Sequence, residues 1–234
     1  ETAGNNFVEI FVISPAETLV KVEVPDKGYK KTKTTVPHEA IAFYLPPEIG
    51  LVISKEPKEE PIPEKVYKGH GIHIESEKPI KVYCIVRFQA SSDGYLVLPV
   101  ENLGQEYIVS AYNVDPMFKA VWDHKLPSEA TITAAYNNTR VTFELGGNEY
   151  TQTAAGLEPG QTTQATLNKG DVWMFMSKGD SSDLSGSRIT ANKPVSVVAG
   201  NQCANIPVGN QWCDLTVQML LPTEQWGTHY HVAK

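Results

Sequence analysis

The sequence predicts an all-β protein made of two tandem, internally duplicated halves, each an antiparallel β-sandwich-like unit. Three observations carry this expectation. Short runs rich in β-branched and aromatic residues recur, separated by turn residues at spacings of 8 to 12. No stretch holds an apolar period of 3.6 long enough to make an amphipathic helix. Finally, one skeleton occurs twice. Gly71, Ile74, Lys78 and Pro79 return 115 residues later as Gly186, Ile189, Lys193 and Pro194. Leu98, Pro99, Glu101, Gly104 and Tyr107 return 123 later as Leu221, Pro222, Glu224, Gly227 and Tyr230. The extra eight residues fall between Pro194 and Leu221, the segment that also holds Cys203 and Cys213.

Taken in order, FVEIFVI at 7–13 and TLVKVEV at 18–24 read as strands, the second with clean alternation. Pro25-Asp26-Lys27-Gly28 is a turn, because proline presets φ and glycine accepts a positive one. The lysine-rich YKKTKTTV after it reads as an exposed edge strand. AIAFYLP is a further strand stopped by Pro46-Pro47, and KEPKEEPIPEK at 55–65 is a solvated loop, with an acidic binding face as a weaker rival. From Gly69 strands and turns alternate through GIHIES, IKVYCIVRF, YLVLPV and EYIVSAY. The segment 113–129 breaks the alternation, leaves room for a short helix and divides the chain into 1–112 and 130–234. In the second part ATITAAYNNTRVTFEL corresponds to the first two strands, GGNEYTQTA to the lysine-rich edge, and DVWMFMS is a buried strand.

Composition bounds the partners. With 20 basic and 27 acidic residues the net charge is −7, which works against nucleic acid or an anionic membrane as the main partner. No apolar run is long enough to insert in a bilayer as a helix. The 234 residues, 41% of them apolar, suffice for two cores. Cys84 sits in an apolar run and reads as a buried free thiol. Cys203 and Cys213 flank a loop rich in Gly, Pro and Asn that only the second half has, and they are expected to pair; the alternative is two unpaired thiols. A bridge closing that loop stabilises by roughly 3 kcal/mol and implies an oxidising compartment.

GIHIESEKPIKVY, SSDGYLVLPVENLGQEYIVSAY, ITANKPVSVVAGNQCANIP, WCDL at 212–215 and LLPTEQWGTHY together resemble the N-terminal domain of IgGFc-binding proteins, animal and bacterial. The similarity is strong from the AYNNTRVTF strand onward and weak over the first sixty residues. The charged segment at 55–65 departs from the family pattern. The resemblance implies an extracellular or cell-surface, non-catalytic recognition or adhesion module of a larger protein; it does not imply that this chain binds antibody.

The repeated Leu-Pro-x-Glu-x-x-Gly-x-x-Tyr pattern reads as architectural. Proline ends a strand, glycine allows a tight turn, Glu101 and Glu224 accept backbone N–H groups there, and each tyrosine starts the next strand with its ring in the core. His70 with His73, and His229 with His231, invite a metal reading, but no further ligand stands at a recognised spacing, so packed or solvated histidines are expected and no metal or cofactor. Asp180 and Asp183 lie in a turn rather than a calcium loop. No nucleophile, base and orienter set is nominated by any motif.

The best candidate for recognition is the cysteine loop, where the amides of Asn201, Gln202, Asn205 and Asn210 accompany Trp212, although a capping role weighs more heavily. The rival is that the loop caps the second sandwich and buries Trp212. Asn137-Asn138-Thr139 is a glycosylation sequon at a strand tip. The expected function is an adhesion or binding module for a protein, glycoprotein or glycan. The alternative is a structural subunit of a surface layer or filament that self-associates through edge strands such as Lys30–Val36 and HYHVAK. A carbohydrate-active enzyme ranks below both.

Overall fold

In the computed structural model, residues 6–53, 61–88, 91–112, 126–179, 182–207, 209 and 212–232 are described. The fold is all-β, as the sequence predicts, and its apolar side chains form two separate cores. In the first, β1 (Phe7–Ile13), β4 (Ala40–Leu45), β7 (Lys81–Arg87) and β8 (Ser92–Val97) form a sheet in the order β4-β1-β7-β8. Facing it, β2 (Leu19–Val24), β3 (Tyr29–Thr34) and β6 (His73–Ser76) form a sheet in the order β3-β2-β6. The alternation of β2 decides its facing: Val20, Val22 and Val24 are buried against Val8, Ile10, Phe43 and Val82. Gly28 takes φ 60° after a 3₁₀ turn over Pro25–Lys27, so the expected β2–β3 hairpin forms. The lysines of β3 face solvent, and Lys33 Nζ lies 5.4 Å from the Phe43 ring centroid.

The second core lies within a single eight-stranded sheet. Its main members are β10 (Ser128–Ala134), β11 (Thr139–Glu144), β12 (Thr162–Leu167), β13 (Val172–Met176), the 17-residue β14 (Arg188–Ala204) and β15 (Asp214–Met219). β14 pairs with β11 up to Ala191, then with β10 from Val195. Pro194 falls in the gap between the two ladders, where no N–H is required, so the strand changes partners without breaking. The sheet thus closes over on itself, and the Phe143 ring of β11 stacks on Phe175 of β13 at 3.8 Å between centroids. A continuous strand thus runs through Lys193-Pro194, whereas their counterparts Lys78-Pro79 lie in the connection between β6 (His73–Ser76) and β7.

The halves are not equal and separate copies. Two strands cross between them: β5 (Lys65–Tyr67) pairs with β13, and β9 (Gly104–Ile108) pairs with β14. Accordingly Val66 of β5 packs against the second core although it lies upstream of Val97 in the first, and Tyr107 and Val109 also pack in the second. Within these differences the order of pairing recurs. β4-β1-β7-β8 parallels β13-β10-β14-β15, and β3-β2-β6 parallels β12-β11-β14. Most of the connecting segment expected at 113–129, namely 113–125, lies outside the described residues, as does most of the charged segment at 55–65. Ser128 and Glu129, at the end of the connecting segment, already belong to β10 rather than to a connection or helix.

The joint between halves is polar and specific. Asp171 accepts the Gly69 N–H on Oδ1 and the Asn168 N–H on Oδ2, both at 2.9 Å. Asp93 Oδ2 accepts the Val217 N–H at 2.8 Å, tying β8 to β15.

Candidate functional site

The cysteine loop is the tip of the β14–β15 hairpin. Cys203 and Cys213 form a disulfide with Cα atoms 5.0 Å apart. Below it the ladder pairs Asn201 with Thr216, then shifts register before Ala204 meets Asp214. Asp214 braces this base against the first half: its Oδ1 accepts the Ser91 hydroxyl and the Ser92 N–H, and the Ser91 hydroxyl oxygen accepts the Leu215 N–H at 2.8 Å. The loop therefore stands on a support made by both halves.

The five residues marked for recognition divide sharply. Trp212 is 71% exposed, so it does not cap the sandwich, and Ile206 within the loop is 52% exposed. Asn201 is only 2% exposed, and its amide is committed internally. Its Nδ2 donates to the carbonyls of Tyr112 at 2.6 Å and Leu126 at 3.4 Å, while its Oδ1 accepts the Cys203 N–H at 2.7 Å. Asn201 thus holds the two ends of the segment between the halves rather than facing a ligand. Asn205 is likewise buried, Gln202 is half-buried, and Asn210 lies outside the described residues. Beneath the hairpin, Glu129 on β10 stands opposite Gly200, and burial pushes its carboxyl up to about 7.

The repeated motif keeps one local geometry in two environments. Pro99 precedes a 3₁₀ turn over Val100–Asn102, and Pro222 precedes one over Thr223–Gln225. The Gly104 N–H donates to the Tyr107 hydroxyl at 2.9 Å, and the Gly227 N–H to the Tyr230 hydroxyl at 2.7 Å. Tyr107 is fully buried and its hydroxyl donates to the Val195 carbonyl at 2.7 Å, whereas Tyr230 is 72% exposed. A ring in the core is thus correct for the first copy and wrong for the second. Neither glycine adopts a positive φ. Gly104 is required instead by close approach, since a Cβ there would run into Pro222 and Glu224. Glu224 accepts the Gln105 N–H of the other copy at 3.3 Å, not an N–H of its own turn. Leu98 is half-buried and Leu221 exposed at the corresponding positions.

Of the four histidines singled out, His70, His73 and His229 are separately engaged, and His231 is exposed. His70 Nε2 lies 3.0 Å from Asp26 Oδ2 with its ring against Tyr67, and burial, helped by Lys27, holds its pKa below the usual value although Asp26 pulls upward. His73 approaches Glu23 at 3.8 Å, and the Thr228 hydroxyl meets His229 Nδ1 at 2.9 Å. Among the described residues no three His, Cys, Asp or Glu side chains cluster as metal ligands. Asp183 accepts the Ser185 N–H and hydroxyl, both at 3.0 Å, as a turn residue does, and Asp180 lies outside the described residues. Asn137 is exposed at the β10–β11 tip, next to Asn138 at φ 56°. Cys84 is buried and free, its thiol pushed up to about 11 by burial.

Sequence reasoning missed Asp214, Asp171 and Asp93. Each works across the joint on a partner roughly a hundred residues away or more, and no local pattern marks such a role.

A family model described as IgGFc binding protein matches residues 93–234. The IgGFc-binding protein of Homo sapiens is 30% identical over 192 residues, covering 80% of this chain. The chain spans only 3% of that relative's own length. No solved structure matches. The family match takes in the hairpin, the disulfide and both copies of the repeated motif, and the chain belongs to the IgGFc-binding protein family.

Proposed function

We propose that this chain is an extracellular, non-catalytic binding or adhesion module whose ligand is a protein or glycoprotein, met by the Trp212 end of the disulfide-pinned loop. The observation that carries this reading is the exposure of Trp212 on a loop fixed at its root, since an indole held at a rigid surface gives large contact area at small ordering cost. Family membership supports a binding role and a protein partner, and the disulfide supports an oxidising compartment. The name of the human relative, IgGFc-binding protein, makes IgG Fc the first ligand to try. The two-unit organisation, 1–112 and 130–234 joined by 113–129 and descended from one duplicated sandwich, belongs to the same proposal; the recurrent order of strand pairing supports it.

The test is surface binding of the intact chain to Fc, to mucin-type glycoprotein and to a glycan array, beside Trp212→Ala. Loss of binding with an unchanged melting temperature supports the loop. Binding that survives the substitution intact moves the ligand elsewhere.

A further inference from the structure

The chain contains a filled example of a strand-docking site and, elsewhere, its unfilled parts. In the filled example β9 leaves the first half and adds to the β14 edge, with Ile108 opposite Arg188, Tyr107 opposite Ile189, Glu106 opposite Thr190 and Gly104 opposite Val195. Four features seat it. The Tyr107 ring enters the core, its hydroxyl donates to the Val195 carbonyl, Pro222 packs on Gly104, and Glu224 accepts the Gln105 N–H.

The donor half of this arrangement recurs at 222–232. The 3₁₀ turn after Pro222 and the Gly227–Tyr230 hydrogen bond reproduce those at Pro99 and Gly104–Tyr107. Yet Tyr230 faces solvent, as do Trp226 and Val232, the last 91% exposed.

The acceptor half recurs on the first sandwich. β6 is an edge strand, paired with β2 on one side and with no other strand among the described residues. Ile74 and Ile80 hold the places of Ile189 and Val195; they are partly exposed, where their counterparts are fully buried. Pro99 is exposed where its counterpart Pro222 is buried, and Glu101 stands exposed in the place of Glu224. Among the described residues, those equivalent to the ones that seat β9 thus stand partly or fully exposed beside β6.

We propose that Gly227–His231 of one molecule adds as an antiparallel strand to the β6 edge of a second copy of this chain. Superposing the internal register sets Tyr230 opposite Ile74, His229 opposite Glu75, His231 opposite His73 and Gly227 opposite Ile80. Tyr230 then donates to the Ile80 carbonyl, and the Thr228 N–H reaches Glu101. Strand addition of this kind supplies main-chain hydrogen bonds along the edge and one aromatic anchor for register. Because donor and acceptor are different surfaces, the contact is head-to-tail and copies add in series.

The test uses two full-length variants, Glu75→Cys and His229→Cys, purified separately and mixed under mild oxidation that leaves the Cys203–Cys213 bridge intact. A disulfide-linked dimer is expected from this pair and not from His229→Cys with Lys31→Cys, which lies on the opposite edge of the same sheet. Adding Tyr230→Ala to the donor lowers the yield about tenfold, as truncating a buried anchor does. Sedimentation velocity of the unmodified chain should show association growing with concentration that Tyr230→Ala suppresses. Equal cross-linking of the two pairs, or yields and sedimentation unchanged by Tyr230→Ala, overturns the proposal.

Discussion

Replacing Tyr107 by phenylalanine isolates what the first copy of the repeated motif does. The ring stays in the second core; only the hydroxyl is lost, with its bonds to the Gly104 N–H at 2.9 Å and the Val195 carbonyl at 2.7 Å. The carbonyl belongs to a fully buried residue, and leaving such groups unpaired costs about 1–3 kcal/mol. With a urea m-value of about 2 kcal/mol/M, a loss of about 2 kcal/mol lowers the midpoint by about 1 M. The chain supplies its own reporter, because none of its four tryptophans lies in the first 112 residues and Trp173 is buried in the second core. Tyr230→Phe is the internal control. It removes the same bond to glycine at an exposed site, where water replaces the hydroxyl, so the shift should stay under about 0.5 kcal/mol. Equal shifts for the two variants would refute the claim that burial, not the motif, sets the value of the hydroxyl.

Two further perturbations test the second half. Burial holds the Glu129 carboxyl at about 7 against an ordinary 4.5, so the folded protein keeps a proton that the unfolded chain releases between those values. Stability therefore falls as pH rises from 4.5 to about 7 and stays low above it. Glu129→Gln should remove that fall, stabilising by about 2–3 kcal/mol at alkaline pH and hardly at all in acid; parallel pH profiles of the urea midpoint would count against it. Gly200→Ala places a Cβ against the Thr216 carbonyl and 3.0 Å from Val217 Cα, so β15 must leave β14. A loss of more than about 3 kcal/mol is expected, and a variant that melts like the parent would show that the ladder yields more easily than its backbone spacing suggests.

Strands were legible where their evidence was local. The alternation of β2, the Pro-Asp-Lys-Gly turn and the lysines of β3 each act within a few residues, and the structure follows them. The disulfide was legible because its cysteines bound a loop that the first half lacks. What failed to show was decided at a distance. Pro194 normally ends a strand, but here it falls where β14 changes partners and no donor is missed. β5 and β9 could have closed either sheet, and only the completed second core explains their choice. Asn201 has the side chain of a recognition residue, yet carbonyls of Tyr112 and Leu126 occupy it. Tyr230 repeats Tyr107 in sequence and in its own turn; its exposure depends on what stands opposite, which the repeat does not encode.

The passage of β9 into the second sheet bears on how the polypeptide is best dissected. A cut anywhere in 113–125, the natural place to separate two domains, would strip the later fragment of the tyrosine that closes its interior and leave the earlier one trailing an unsatisfied strand. Neither piece would then report on the intact protein. The smallest autonomous portion of the second unit has to start upstream of Gly104, inside what looks on paper like its neighbour.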